Sequence, residues 1–308
     1  VTGDLAARLG ATRVICLGHT AFDQIFQMEA LFTGGSQKLR STHYHTVGGG
    51  MAATASVAVA RLGGWAAFWG RAGADAAGEA MRSELAEAGV DVAGLRLFEG
   101  GRSSISAILV DSAGERQIAN FRGLLPEEAD WLPLGEVAGA STVLADPRWP
   151  AGAVALFREA RAQGVPTVLD GDVADAEIFE ALLPLTDHAV FSEPGFARFV
   201  GGAIPDGLAE IARYGCRLVA VTCGAEGVTW LQDGVLEHRP AYKVEVVDTT
   251  GAGDVFHGAY ALAIGAGLAP AEAFPFAAAA AALKCTRPGG RGGIPTLADC
   301  LAFQRNNL

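Results

Sequence analysis

Compact apolar runs alternate with amphipathic stretches along most of the chain, and this alternation sets the first expectation. Arg13–Gly18 (RVICLG), residues 167–169 and 188–191, Thr142–Ala145 and Leu218–Thr222 are short β-branched or aliphatic runs, the pattern of strands buried on both faces. Helical patterns lie between them. They comprise an Ala/Val-rich helix over 51–62, helices over 151–162 and 208–214, and an amphipathic helix over 75–88 with Ala77, Met81, Leu85 and Ala88 on one face. Strands separated by helices predict an α/β fold with a mostly parallel central sheet covered on both faces. Right-handed crossovers then place a ligand crevice at the carboxyl ends of the strands.

Two segments break the alternation. Residues 25–47 are polar and rich in Thr, Ser and His, while 103–121 alternate with period two around a turn at 112–115 and read as a hairpin. Together they predict a small β lid inserted in a single domain over 1–308; the competing reading is two surface loops. No internal repeat or long linker divides the chain.

Composition narrows the class. Half of the 308 residues are hydrophobic and 19% are charged, enough apolar material for a large core. The 41 glycines are scattered, which fits tight βα turns and close approach to ligands rather than a disordered tract. A net charge of −11 argues against nucleic acid as the main partner, because that footprint is a basic face. The five cysteines (Cys16, Cys216, Cys223, Cys285, Cys300) form no C-x-x-C pair. Cys16 and Cys223 lie in apolar runs and read as buried free thiols, so a reducing, cytoplasmic compartment is expected. No run approaches the ~18–20 apolar residues of a membrane span, and no signal-peptide pattern surrounds Asp4 and Arg8.

The strongest chemical signal is VVDTTGAGDVFHGAY, residues 246–260. An apolar strand is expected to end at Val247, with a helix beginning at about Asp254. Gly251, Ala252 and Gly253 would then lie where a helix start exposes unpaired N–H groups to an anion. The helix dipole would keep Asp254 ionised, suiting it to accept a proton. From spacing alone, Asp254 reads equally as a helix cap and as a base. No Walker A string is present. A dinucleotide fingerprint is also disfavoured, because Phe256 stands where its third glycine belongs.

The unbroken DTTGAGD string resembles the C-terminal signature of the PfkB, or ribokinase-like, carbohydrate kinases. That resemblance implies ATP and Mg²⁺ as cofactors, Asp254 as base and Gly251, Ala252 and Gly253 as an anion hole. It also implies K⁺ held by Asp248, the Thr250 carbonyl and the carbonyls of Lys284, Arg287 and Gly289, although Gly293 stands where relatives offer a Ser hydroxyl. Asp23 in GHTAFD matches the aspartate that grips sugar hydroxyls, and Gly49 and Gly50 match backbone that meets the sugar. Thr54 replaces a sugar-binding Asn of many members. Thr222, Gly224 and Gly227 resemble the loop at the ATP phosphates and ribose. The family's N-x-x-E motif is reduced to Ser192–Glu193–Pro194–Gly195 here, leaving Glu193 as a partial substitute.

SQKL, GERQIANF, LADPRW, TVLDGD, FSEPG and CTRPGGRGGIP together resemble the sulfofructose kinases within that family. The implied substrate is 6-deoxy-6-sulfofructose, phosphorylated on its 1-hydroxyl, with Lys38, Asn120 and Arg148 on the sulfonate. Arg122 is a further cation nearby. Alternatives are a 6-phosphosugar such as fructose- or tagatose-6-phosphate, a neutral ketose such as fructose, or a non-catalytic sugar or nucleotide sensor. An exposed lid sheet with open edges would pair with a second subunit, giving a homodimer.

Overall fold

The computed structural model describes residues 2–307. Its strands are β1 (Arg13–Gly18), β2 (Ala21–Met28), β3 (Ser41–Gly49), β4 (Trp65–Gly73), β5 (Leu95–Phe98), β6 (Ile105–Val110) and β7 (Arg116–Phe121), followed by β8 (Thr142–Ala145), β9 (Thr167–Gly171), β10 (His188–Ser192), β11 (Leu218–Thr222), β12 (Val228–Gln232) and β13 (Val235–Arg239). The helices are α1 (Thr2–Ala11), α2 (Met51–Arg61), α3 (Ala76–Glu87), α4 (Pro150–Gln163), α5 (Ala176–Leu182), α6 (Glu193–Phe199), α7 (Ile204–Ala212), α8 (Ala252–Gly265), α9 (Pro270–Cys285) and α10 (Leu297–Asn306).

Nine strands form the main sheet, in the order β13-β12-β11-β10-β9-β8-β1-β4-β5. It is parallel from β11 to β5, and β12 and β13 close one side as an antiparallel hairpin. The apolar runs are continuous because both faces are covered. Val14 and Cys16 of β1 enter a core shared with α2, α8 and α9, while Ile15 and Leu17 enter one shared with α4, α5 and α7. The chain builds outward from β1 to β4 and β5 on one side, and from β8 onward on the other. Strand order therefore reverses between β1 and β8, which opens the crevice at their carboxyl ends. Small residues bring two helices together behind it: a Cβ at Gly258 of α8 would collide with the Ala55 carbonyl of α2. Among the described residues no helix is long and apolar enough to cross a membrane, and all five cysteines are free.

The two irregular segments contribute to a second sheet, ordered β3-β2-β6-β7. It begins at Ala21, earlier than the sequence pattern suggests, and residues 29–40 form a loop rather than strand. In its register Asp23 pairs with Ser106 and Ser106 with Asn120, so these three side chains share one face with Arg116. β3 and β7 are exposed along most of their lengths.

No strand ends at Val247. Val246 and Val247 are 60% and 58% exposed and have no core to enter. Hydrogen bonds from the N–H groups of Val247 and Asp248 to the Cys285 carbonyl (2.8 and 3.1 Å) fix this stretch instead.

Candidate active site

α8 begins two residues before Asp254. Gly251 is its N-cap, with φ +75° in the left-handed region that favours glycine. Of the three amides expected to form an anion hole, that of Ala252 donates to the Thr249 carbonyl at 3.1 Å. Those of Gly251 and Gly253 donate to no protein group among the described residues, and a Cβ at Gly253 would meet nothing within 4 Å. Asp254, in the first turn, accepts no protein hydrogen bond among the described residues, unlike a capping carboxylate. Withdrawal from water, followed by the neighbouring Asp170 carboxyl, pushes its pKa up to about 8. Withdrawal from water and this like charge thus act against the helix end, which by itself would favour the ionised form.

Beneath this turn, Asp170 is buried and its Oδ2 lacks a hydrogen-bond partner. His257 Nδ1 lies 2.8 Å from the Gly253 carbonyl oxygen and 3.5 Å from Asp170 Oδ2, tying the helix start to the end of β9. Asp248 Oδ1 accepts the Thr250 N–H at 2.9 Å, and Oδ2 accepts that of Gly289 at 3.1 Å. Burial would raise the Asp248 pKa, but hydrogen bonds from Thr250 and the Lys284 ammonium hold it well below the carboxylate range.

Asp23 stands on β2 against Gly49, where a Cβ would collide with its carboxylate. Gly50 has φ +93°, and a Cβ there would strike the His19 carbonyl. Sequence reasoning missed the group joining these elements, Arg291. Only 5% exposed, it donates to the Gly49 carbonyl at 2.6 Å, to Glu84 Oε1 at 3.3 Å and to Thr54 Oγ1 at 3.3 Å. Its charge is felt by both Asp254 and Asp23.

Thr222 ends β11, its hydroxyl donating to the Phe191 carbonyl at 3.3 Å, and Gly224 opens the following turn. Gly227 has a packing reason of its own, since a Cβ there would collide with the Arg239 carbonyl. Cys223 lies in this turn, half-buried, rather than in a strand. Ser192 is the N-cap of α6, accepting the Gly195 N–H at 3.1 Å, and Glu193 is exposed beside it. Among the described residues no three His, Cys, Asp or Glu side chains gather as a metal site.

A cavity of about 840 Å³ occupies the strand-order reversal, lined among others by His19, Asn120, Arg122, Arg148 and Asp172. Asn120 donates to Ser106 Oγ at 3.1 Å. Arg148 bonds Asp172 Oδ2 at 2.8 Å and the Val173 carbonyl at 2.6 Å. Arg122 makes no ion pair among the described residues. Lys38 is not brought to this wall; it lies on the exposed 29–40 loop, which Gln117 ties to the lid by donating to the Phe32 carbonyl at 2.8 Å. Asp146 was also missed. Its Oδ2 accepts the His19 N–H at 2.7 Å and the Ala52 N–H at 3.1 Å, which aligns β1 with the start of α2. Gly18 makes room for it, since a Cβ there would collide with that carboxylate.

Known proteins place this geometry first in a class. The fold is the ribokinase-like α/β fold: the chain is similar to Arabidopsis thaliana ribokinase complexed with ribose and ATP, with TM-score 0.85 and 26% identity over 95% of this chain and 98% of that one. Residues 11–297 match the pfkB family carbohydrate kinases, and the chain belongs to that family. It is similar to ribokinase from Haemophilus influenzae, 29% identical over 93% of this chain and 96% of that protein. A fructokinase from Klebsiella pneumoniae is 35% identical over 68% of this chain and 74% of its own length. The protein is an ATP-dependent sugar kinase.

Proposed function

We propose that this kinase transfers the γ-phosphoryl group of ATP to the 1-hydroxyl of 6-deoxy-6-sulfofructose, with Asp254 as the base. The observation that carries the substrate is Arg122, a guanidinium without an ion pair among the described residues, which lines the same cavity as Asn120 and Arg148. A sulfonate is a permanent monoanion with three acceptor oxygens, and planar guanidinium and amide donors complement it. Ribose is disfavoured because Thr54 stands where many members of the family have a sugar-binding Asn.

In this reading Asp23 and the backbone of Gly49 and Gly50 hold the sugar. ATP enters along the loop of Thr222, Gly224 and Gly227, and a Mg²⁺ ion accompanying it would supply charge neutralisation on its phosphates. The second sheet acts as a lid that excludes water, a competing nucleophile. Asp254 takes the hydroxyl proton as the sugar oxygen bonds to the γ-phosphorus. The bond to the β–γ bridging oxygen breaks, ADP leaves, and the amides of Gly251 and Gly253 stabilise the charge that develops. A base with a pKa near the working pH is well matched to this task. The lid also forms the homodimer contact, since its outer face bears Tyr44, 51% exposed and 4.9 Å from the Phe26 ring, and β3 is an open edge.

A coupled ATP-consumption assay over sulfofructose, fructose-6-phosphate, fructose and ribose tests the substrate. Sulfofructose is expected to give the highest kcat/KM. Arg122→Ala should lower that value by about 10–100-fold, the worth of one charge-assisted hydrogen bond, while leaving fructose turnover within about twofold. Equal efficiency on fructose, or an equal loss on both sugars, would remove the sulfonate from the proposal.

A further inference from the structure

A monovalent cation beneath the anion hole would sit among Asp248, Thr250 and the carbonyls of Lys284, Arg287 and Gly289. The residues present do not fit that ion. Lys284, in the last turn of α9, is 0% exposed, and its side chain reaches back into the loop after residue 247. Its Nζ donates to the Asp248 carbonyl at 2.9 Å and lies 3.2 Å from Asp248 Oδ2. A unit positive charge therefore already rests on the acidic member of the ligand set. Arg116 of the lid adds a second, with Nη2 3.3 Å from Asp248 Oδ1 and Nη1 donating to Thr250 Oγ1 at 2.8 Å. Two of the carbonyls are also engaged: that of Lys284 accepts the Arg287 N–H at 3.0 Å, and that of Gly289 accepts the Gly292 N–H at 2.9 Å. Gly293 supplies no hydroxyl, and a Cβ there would come within 3.0 Å of the Arg287 carbonyl oxygen.

We propose that the ammonium of Lys284 takes the place of the monovalent cation and makes this kinase independent of K⁺. An ion at such a position would neutralise Asp248 and fix the 248–251 loop, whose last residue offers its N–H to the phosphoryl group. A tethered ammonium does the same without a binding step. It is a compact charge with three donors, and the carboxyl end of α9 favours it further. Lys284 is fully buried and acts through Asp248, so it is a positioning residue. The inference does not depend on which sugar is accepted.

The test compares turnover, with whichever of the four acceptors is used, in KCl, NaCl and tetramethylammonium chloride at equal ionic strength. The wild type is expected to vary less than about twofold, and its Tm with a bound non-hydrolysable ATP analogue should be equal in the three salts. A K⁺-specific rise in rate above about fivefold, or a K⁺-specific rise in Tm, would overturn the proposal. Lys284→Ala should lose at least tenfold in tetramethylammonium chloride and recover with K⁺, NH₄⁺ or methylammonium. Full activity of that variant without such a cation would also overturn it. The wild-type comparison stands whether or not the variant folds.

Discussion

The two ends of the proposed active site are built in opposite ways. At the proposed phosphate end, the 248–254 turn is held from behind by two buried groups, Lys284 on Asp248 and His257 on the Gly253 carbonyl, and next to it Arg291 ties the Gly49 carbonyl to Glu84. At the proposed far end of the sugar site, the cavity wall carries Arg148, paired with Asp172, and Arg122, which makes no ion pair among the described residues, while Lys38 lies on a loop outside that wall. The contrast teaches where chemistry and where choice reside. Phosphoryl transfer needs positions fixed to a fraction of an ångström, which fits donors proposed for it being wired into the core. In the proposed reading, acceptor selection rests on exposed or half-buried side chains from distant segments, which can change without disturbing the reaction.

Breaking the phosphate end should cost most. Asp254→Asn is expected to lower kcat by about 10²–10⁴-fold, the usual contribution of a general base, with MgATP affinity unchanged by calorimetry. Loss of nucleotide binding in step with activity would instead mark a structural role. Arg291→Met leaves the Gly49 carbonyl and Glu84 without their buried partner and should destabilise the fold by about 3 kcal/mol in urea melts. A change below about 1 kcal/mol would mean that water replaces the guanidinium there. The least effect falls at the other end. Lys38→Ala should alter kcat/KM for sulfofructose by less than about threefold, because an exposed charge without a partner contributes little. A tenfold loss would show that the 29–40 loop folds onto the sugar when the lid closes.

Legibility in the sequence follows the same division. The buried parallel strands β1, β8 and β11 were readable to the residue, because burial on both faces leaves uninterrupted apolar runs. The DTTGAGD turn was readable because its contiguous small residues open a helix start and match the family signature. Helix α1 carried no such mark, and the apolar Val246–Val247 pair mimicked a strand although it lies at the surface. Arg291, Asp146 and Asp170 are each one charge in a run otherwise explained by turns and strands. Their roles come from partners more than 60 residues away, at Gly49, His19 and His257, so no local pattern exposes them. Lys284 was assigned through its carbonyl, whereas its ammonium is the group that meets Asp248.

The pH dependence of kcat/KM for the sugar probes the unpartnered carboxylate most directly. Only ionised Asp254 can take the proton, and burial beside Asp170 lifts its pKa to about 8. Efficiency should therefore climb with pH, about tenfold per unit well below that value, and level off above it. Asp170→Asn should move the rise to lower pH, and Asp254→Asn should abolish it. A wild-type profile that is flat from pH 6 to about 9, or a rise that survives in Asp254→Asn, would show that another group accepts the proton.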